Sequence, residues 1–201
     1  GIGVNQVEIP MPKDNEITVQ IESAACNPSD IAFIRGMYNI KKPLPAVLGF
    51  EGSGMVVDAG GNREAQDLLG HRVSCYAPDD NYGTWTEYFL AKPENCIVLK
   101  NEMDIDQAGA LFINPYTAYA MFHKILESNA QAFIQNASGG QIGQFINKFA
   151  EQEGLPVINI VRKEKQVGVL KEKGLKYVLN QNDENFEKEL KELAHQLNAQ
   201  L

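Results

Sequence analysis

A chain of 201 residues with 44% apolar content is long enough for one or two domains with an ordinary core. Its formal net charge of −8 argues against a nucleic-acid surface or an anionic membrane as partner. No apolar run approaches the roughly 20 residues of a membrane span, and the N-terminus carries no signal-peptide pattern. Cys26, Cys75 and Cys96 stand far apart with no C-x-x-C, so neither a disulfide framework nor a zinc knuckle is indicated. Free buried thiols in a reducing compartment, and hence a soluble cytoplasmic protein, are expected.

Up to about residue 99 the chain is β-rich and punctuated. Residues 17–21 alternate and predict a strand, and a short helix is expected at 29–35 before a connector holding Pro43 and Pro45. Further strands are predicted at 52–57, before the turn signal Ala59-Gly-Gly-Asn62, at 72–76 after Gly70, at 84–90 and at 97–99. This texture suggests a small irregular antiparallel barrel over residues 1–105.

From residue 106 the pattern turns helical. Asn114-Pro115 is a good helix start, with Asn as N-cap and Pro at the first helical position. Ala118, Phe122, Ile125 and Leu126 give that helix an apolar stripe. A regular alternation follows: strand 132–136, helix 140–153, strand 157–161, helix 164–173, strand 176–179 and helix 183–198. Gly174 is a natural C-cap. The last helix carries Phe186, Leu190, Leu193, Ala194 and Leu197 on one face. The Lys/Glu-rich segments 163–173 and 184–192 read as solvated helix faces. Alternating β and α with short links implies a parallel sheet with right-handed crossovers, and three strands make one half of a doubly wound sheet. The expected class is α/β, with the half sheet over residues 106–201.

One part of this alternation points to a ligand. The apolar run 132–134 gives way to Asn136-Ala-Ser-Gly-Gly-Gln-Ile-Gly143, after which Ile142, Phe145, Ile146, Phe149 and Ala150 resume at helical spacing. Strand, tight turn and helix N-terminus make a cradle for phosphate from backbone N–H groups and the positive end of the helix dipole. The next strand ends in Arg162. A carboxylate there suits the ribose 2′-hydroxyl of NAD, whereas a cation favours the 2′-phosphate of NADP. The pair therefore reads as half of a dinucleotide site tuned to NADP(H).

Several motifs, in order, resemble the medium-chain dehydrogenase/reductase superfamily over nearly the whole chain. They are Asn27-Pro-Ser-Asp30, Gly36-Met-Tyr38, Leu48-Gly-Phe-Glu-Gly-Ser-Gly54, Gly70-x-x-Val73, Gly83-Thr-Trp85 and Asn114-Pro-Tyr-Thr-Ala-Tyr119. The resemblance implies a GroES-like barrel, carrying substrate and catalytic residues, followed by a Rossmann domain. It is closest to the zinc-free quinone oxidoreductase and 2-enoyl thioester reductase branches. Zinc-dependent members place Cys, His and Cys where this chain has Asn27, Phe50 and Ile113, and none of these supplies a thiolate or imidazole. No metal is therefore expected. His71 reads as a turn residue, Cys26 as buried barrel packing, and Trp85 as packing at the domain junction or a substrate wall.

What the resemblance implies chemically is an NADPH-dependent reductase of activated double bonds, such as 2-enoyl thioesters or 2-alkenals. Tyr38 matches the family's tyrosine that stabilises an oxyanion or delivers a proton. Asn114 and Thr117 match contacts to the nicotinamide side. Ser138, Gly139, Gly140, Gln141, Ile142 and Gly143 match the pyrophosphate turn, and Arg162, Lys163 and Glu164 the 2′-phosphate contacts. An NADPH:quinone oxidoreductase and a non-catalytic NADPH-binding protein stand as alternatives. The expected partner is a small electrophile (enoyl thioester, alkenal or quinone), with a homodimer left open by the family's habit of pairing. The family's layout starts one strand before Gly1 and continues past Leu201, so a fragment of a longer fold is expected, with weak or absent turnover if the protein itself ends there.

Overall fold

Residues 1–78 and 82–199 are described in the computed structural model. The chain falls into two units, Gly1–Ile113 and Asn114–Leu201. In the first, the alternation that begins at Ile17 runs on as β1 (Ile17–Ala24), with Ile17 and Val19 fully buried. Then come α1 (Pro28–Ile34), β2 (Glu51–Ala59), α2 (Arg63–Gln66), β3 (Arg72–Tyr76), β4 (Tyr88–Ala91), β5 (Cys96–Val98) and α3 (Ile105–Ala108). The strands pair antiparallel in the order β4-β1-β2-β3-β5. Val56, Val73, Cys75 and Phe89 close over Ile17 and Val19 as the core. Each aliphatic or aromatic side chain sunk there contributes about 1.5–3 kcal/mol. The β1–β2 ladder also demands Gly54, because a Cβ at that position would collide with the carbonyl of Gln20.

Two expectations in this unit are corrected. Residues 84–90 do not form one strand; only Tyr88–Ala91 does. The preceding residues are tied elsewhere: Thr84 and Trp85 donate their N–H groups to the carbonyls of Gly49 and Leu48, and Thr84 Oγ1 donates to the Glu51 carbonyl at 2.8 Å. Cys26 is exposed rather than buried. The in–out alternation of β1 continues past its end, which turns Asn27 inward and Cys26 outward. Burial pushes the Cys75 thiol well above its usual range and the Cys96 thiol up to about 12. A thiol-specific reagent at neutral pH should therefore titrate Cys26 alone in the native protein and all three cysteines in denaturant. Rapid labelling of a second native thiol would contradict this burial.

The second unit alternates helix and strand. It comprises α4 (Ile113–Glu127, whose first residue closes the first unit), β6 (Phe133–Gln135), α5 (Gln141–Gln152), β7 (Val157–Val161), α6 (Glu164–Glu172), β8 (Tyr177–Asn180) and α7 (Phe186–Leu197). The strands run parallel in the order β6-β7-β8, and all five residues of β7 are buried. Ala118 and Phe122 of α4 pack with Phe133, with Ile146 and Ala150 of α5, and with Val157. Val161, Val167, Leu170 and Val178 form a separate cluster. Gly174, at φ +88°, lets the chain turn off α6. The five residues expected on the inner face of α7 are half-buried. An amide cluster enters this core: Asn159 of β7 accepts at Oδ1 from Gln135 Nε2 and from Asn147 Nδ2, both at 2.8 Å. Among the described residues, no helix is long and apolar enough to cross a membrane.

Candidate functional site

In the second unit the glycine turn sits between β6 and α5 and is built from the inside. Ser138 is fully buried; its N–H donates to the Ile160 carbonyl at 3.2 Å and its Oγ to the Gln135 carbonyl at 3.0 Å. Its backbone thus ties the turn to β7 and its side chain ties it to β6. Gly140 closes the turn by donating to the Ala137 carbonyl at 2.8 Å and stands as N-cap of α5, which no side chain caps. The first-turn N–H groups of a helix have no intrahelical acceptor, so this end is a donor set suited to an anion. Gly143 allows the helix to lie against the turn: a Cβ there would sit 2.7 Å from Ser138 Cα. Ile142 faces the apolar cluster below.

Asn114 corrects the sequence reading. The helix begins one residue earlier, so Asn114 lies inside the first turn and is not its N-cap. Its Nδ2 instead donates to Gln141 Oε1 at 2.6 Å, which joins α4 to the first residue of α5. Thr117 follows one turn later and is half-buried.

At the end of β7 the side chains of Arg162, Lys163 and Glu164 are exposed. Lys163 is the N-cap of α6, and Glu164 Oε2 accepts from Asn180 Nδ2 at 3.2 Å. The backbone of Arg162 is held on both sides: its N–H donates to Gln166 Oε1 at 3.3 Å, and its carbonyl accepts from Asn182 Nδ2 at 2.8 Å. Gly139 of the turn and Lys163 share the wall of a cavity of about 290 Å³, together with Gln144, Lys165, Gln166 and Lys173. The turn and the strand end are thereby brought to one cation-lined hollow. Gln144 and Gln166 were not foreseen. The available signal for Gln166 was its place at the third position of a helix, where Gln reaches back to backbone N–H groups.

The first unit holds the other candidate. α1 starts on a reciprocal arrangement in which Asp30, its third residue, accepts from the Asn27 N–H at 2.7 Å. It ends in a Schellman motif: Gly36 N–H donates to the Phe33 carbonyl and Met37 N–H to the Ala32 carbonyl, with Gly36 at φ +69°. Tyr38 emerges directly after that turn. It is 39% exposed, and its ring lies 5.5 Å from that of Phe50, which also meets Phe33 edge-on and Lys42 Nζ at 5.5 Å. Burial raises the Asp30 carboxyl, while N–H groups of Asn27 and Phe50 and the charge of Lys42 pull it down.

Beneath this cluster lies Glu51, fully buried. Its Oε1 accepts from Asn27 Nδ2 at 2.6 Å, and its Oε2 from the N–H groups of Phe112 and Ile113 at 3.0 and 2.8 Å. The three positions where zinc-dependent relatives carry ligands are engaged here in other work. Asn27 binds Glu51, Phe50 packs between aromatic rings, and Ile113 offers its N–H to Glu51. Glu51 was visible in the sequence only as part of a motif, because the N–H groups that meet its Oε2 lie 61 and 62 residues away.

Residues 13–101 match the alcohol dehydrogenase GroES-like domain. A mitochondrial enoyl-[acyl-carrier-protein] reductase of Xenopus tropicalis is 31% identical over 167 residues, covering 79% of this chain and 45% of the relative. The structure of a candidate NADPH:quinone reductase from Mesorhizobium loti superposes with a TM-score of 0.87 at 33% identity, over 94% of this chain and 55% of that one. A counterpart from Bacillus thuringiensis gives 0.81 at 29% identity, over 94% and 56%. The chain thus spans about half the length of the curated relatives it matches. With the likeness running from the antiparallel unit through the βα alternation, the chain belongs to the medium-chain dehydrogenase/reductase superfamily.

Proposed function

We propose that the protein serves as a zinc-independent, NADPH-dependent reductase of activated double bonds, with enoyl thioesters or 2-alkenals as substrates. The observation that supports this reading is the pairing of an uncapped glycine turn with hydrogen bonding or ring packing at Asn27, Phe50 and Ile113. The turn is uncapped and packed so tightly that Gly143 has no room for a Cβ, whereas Asn27, Phe50 and Ile113 are consumed by hydrogen bonds and ring packing. The residues fit the cofactor. The N–H groups of Gln141, Ile142 and Gly143 would hold the pyrophosphate, Arg162 and Lys163 the 2′-phosphate with Glu164 beside them, and Asn114 and Thr117 the nicotinamide end. When bound, NADPH supplies the hydride that goes to Cβ of the substrate.

Hydride addition to Cβ leaves negative charge on the carbonyl oxygen and requires a proton at Cα. Tyr38 is the group assigned to that charge or that proton: an exposed tyrosine whose ring packs against Phe50. Tyr38→Phe should lower turnover about 100-fold while NADPH affinity stays unchanged. An unaltered rate would remove Tyr38 from the chemistry.

A quinone accepts hydride with little need of a placed proton, and the likeness to quinone-reductase structures supports that second reading. Following NADPH oxidation with a crotonyl-type thioester and with a simple quinone in parallel separates the two. Binding without oxidation of either would mark a non-catalytic NADPH-binding protein. Fluorescence titration should give tighter binding of NADPH than NADH; equal binding would end the role given to Arg162.

A further inference from the structure

We infer that Gln166 is a positioning residue that holds the two phosphate-facing segments in fixed relation, an inference that rests on the NADPH reading above. Gln166 is half-buried at the third position of α6 and lines the cavity between the turn and the strand end. Its two amide atoms serve two different segments. Oε1 accepts from the Arg162 N–H at 3.3 Å. Nε2 lies over Gly139, so close that a Cβ on that glycine would be 3.0 Å away. At the same glycine, Gln144 donates Nε2 to the Gly139 carbonyl at 3.2 Å and accepts from Lys173 Nζ at 2.7 Å. Two glutamines from two helices thus meet the turn at Gly139, and one of them also accepts from Arg162.

A plain capping role explains only part of this. In a capping box the third residue returns to the N–H of the N-cap, which here is Lys163. Gln166 reaches one residue further, to Arg162, and a cap needs no amide nitrogen against Gly139. The arrangement fits a ligand that spans both segments. NADPH would place its pyrophosphate at the turn and its 2′-phosphate at Arg162, whereas NADH would use the turn alone. Holding the two apart at a fixed distance before binding lowers the ordering cost for the phosphorylated cofactor.

Gln166→Met tests this, because it keeps the length and the packing over Gly139 but has no acceptor for Arg162. In the cofactor-free protein, hydrogen exchange at the Arg162 amide should accelerate. By fluorescence titration the NADPH dissociation constant should rise about three- to tenfold, the worth of one hydrogen bond, with NADH unaffected. In an Arg162→Ala background the same substitution should add nothing. A fall in melting temperature with both dissociation constants unmoved would leave a helix cap and overturn the inference. Additive losses in the double variant would also overturn it, because Gln166 would then touch the phosphate itself. If the unmutated protein does not prefer NADPH, the NADPH reading fails and this inference fails with it. If it does prefer NADPH and Gln166→Met changes nothing, only the positioning role falls.

Discussion

Replacing Glu51 with leucine is expected to destabilise the first unit by about 3–5 kcal/mol, among the largest effects of any single substitution in the chain. The side chain is fully buried and accepts from three donors: Asn27 Nδ2 and the N–H groups of Phe112 and Ile113. Leucine fills a similar volume but removes an acceptor from each, and a buried donor deprived of its acceptor costs about 1–3 kcal/mol. Glu51→Gln is the graded control. Glutamine keeps one oxygen and turns an NH₂ group toward donors, so its cost should fall between wild type and leucine. Urea unfolding followed by circular dichroism gives both numbers. A leucine variant within about 1 kcal/mol of wild type would show that the carboxylate holds nothing together.

Gly143→Ala should abolish most NADPH binding and also lower stability, against the usual helix rule. Alanine is ordinarily better than glycine inside a helix by about 0.8–1.0 kcal/mol. Here a Cβ would stand 2.7, 2.9 and 3.0 Å from backbone atoms of Ser138, none of which is the end of a flexible side chain. Overpacking of this kind costs about 1–3 kcal/mol, so the clash outweighs the propensity. Ser138 cannot yield easily, because its N–H and Oγ are bonded to Ile160 and Gln135. The donors of the turn must therefore shift, and cofactor affinity should fall at least about tenfold with them. Gly168→Ala supplies the contrast. Nothing lies within 4 Å of a Cβ at that position in α6, so the ordinary gain of about 0.8–1.0 kcal/mol should appear. Paired unfolding curves and NADPH titrations for the two variants check both signs. A Gly143→Ala protein as stable and as tightly binding as wild type would refute the close packing.

The sequence was most readable where local pattern and tertiary need agree. The apolar run of β7, the helical spacing of Phe145, Ile146, Phe149 and Ala150, and Gly174 as a stop all follow from periodicity and turn chemistry. Reading failed where a distant partner overrides the local signal. Residues 84–90 alternate as a strand should, but carbonyls of Leu48 and Gly49 capture Thr84 and Trp85 first. Asn114-Pro115 has the chemistry of a helix start, but Glu51 already serves the N–H of Ile113 and the helix opens there. The turn of the candidate site was legible as a glycine pattern. Its supports, Gln144 and Gln166, were not, because an amide side chain on a helix surface carries no sign of what lies beside it.

The amide cluster within the parallel sheet has a consequence for how the sheet assembles. β7 is otherwise a uniform run of Val and Ile, and such a strand has little in its own sequence to tell one alignment with its neighbours from another. Asn159 breaks that degeneracy. In the native alignment its Oδ1 meets both Gln135 of β6 and Asn147 of α5. A slip of two residues keeps apolar side chains on their proper faces, yet brings Val157 or Val161 opposite those amides and removes the acceptor they share, at about 1–3 kcal/mol for the buried Asn147 donor. The three amides thus act as a vernier mark between strand and helix. Correct alignment of β6 and β7 also sets where Ser138 finds the Ile160 carbonyl, so the shape of the turn is decided by the register of the strands beneath it.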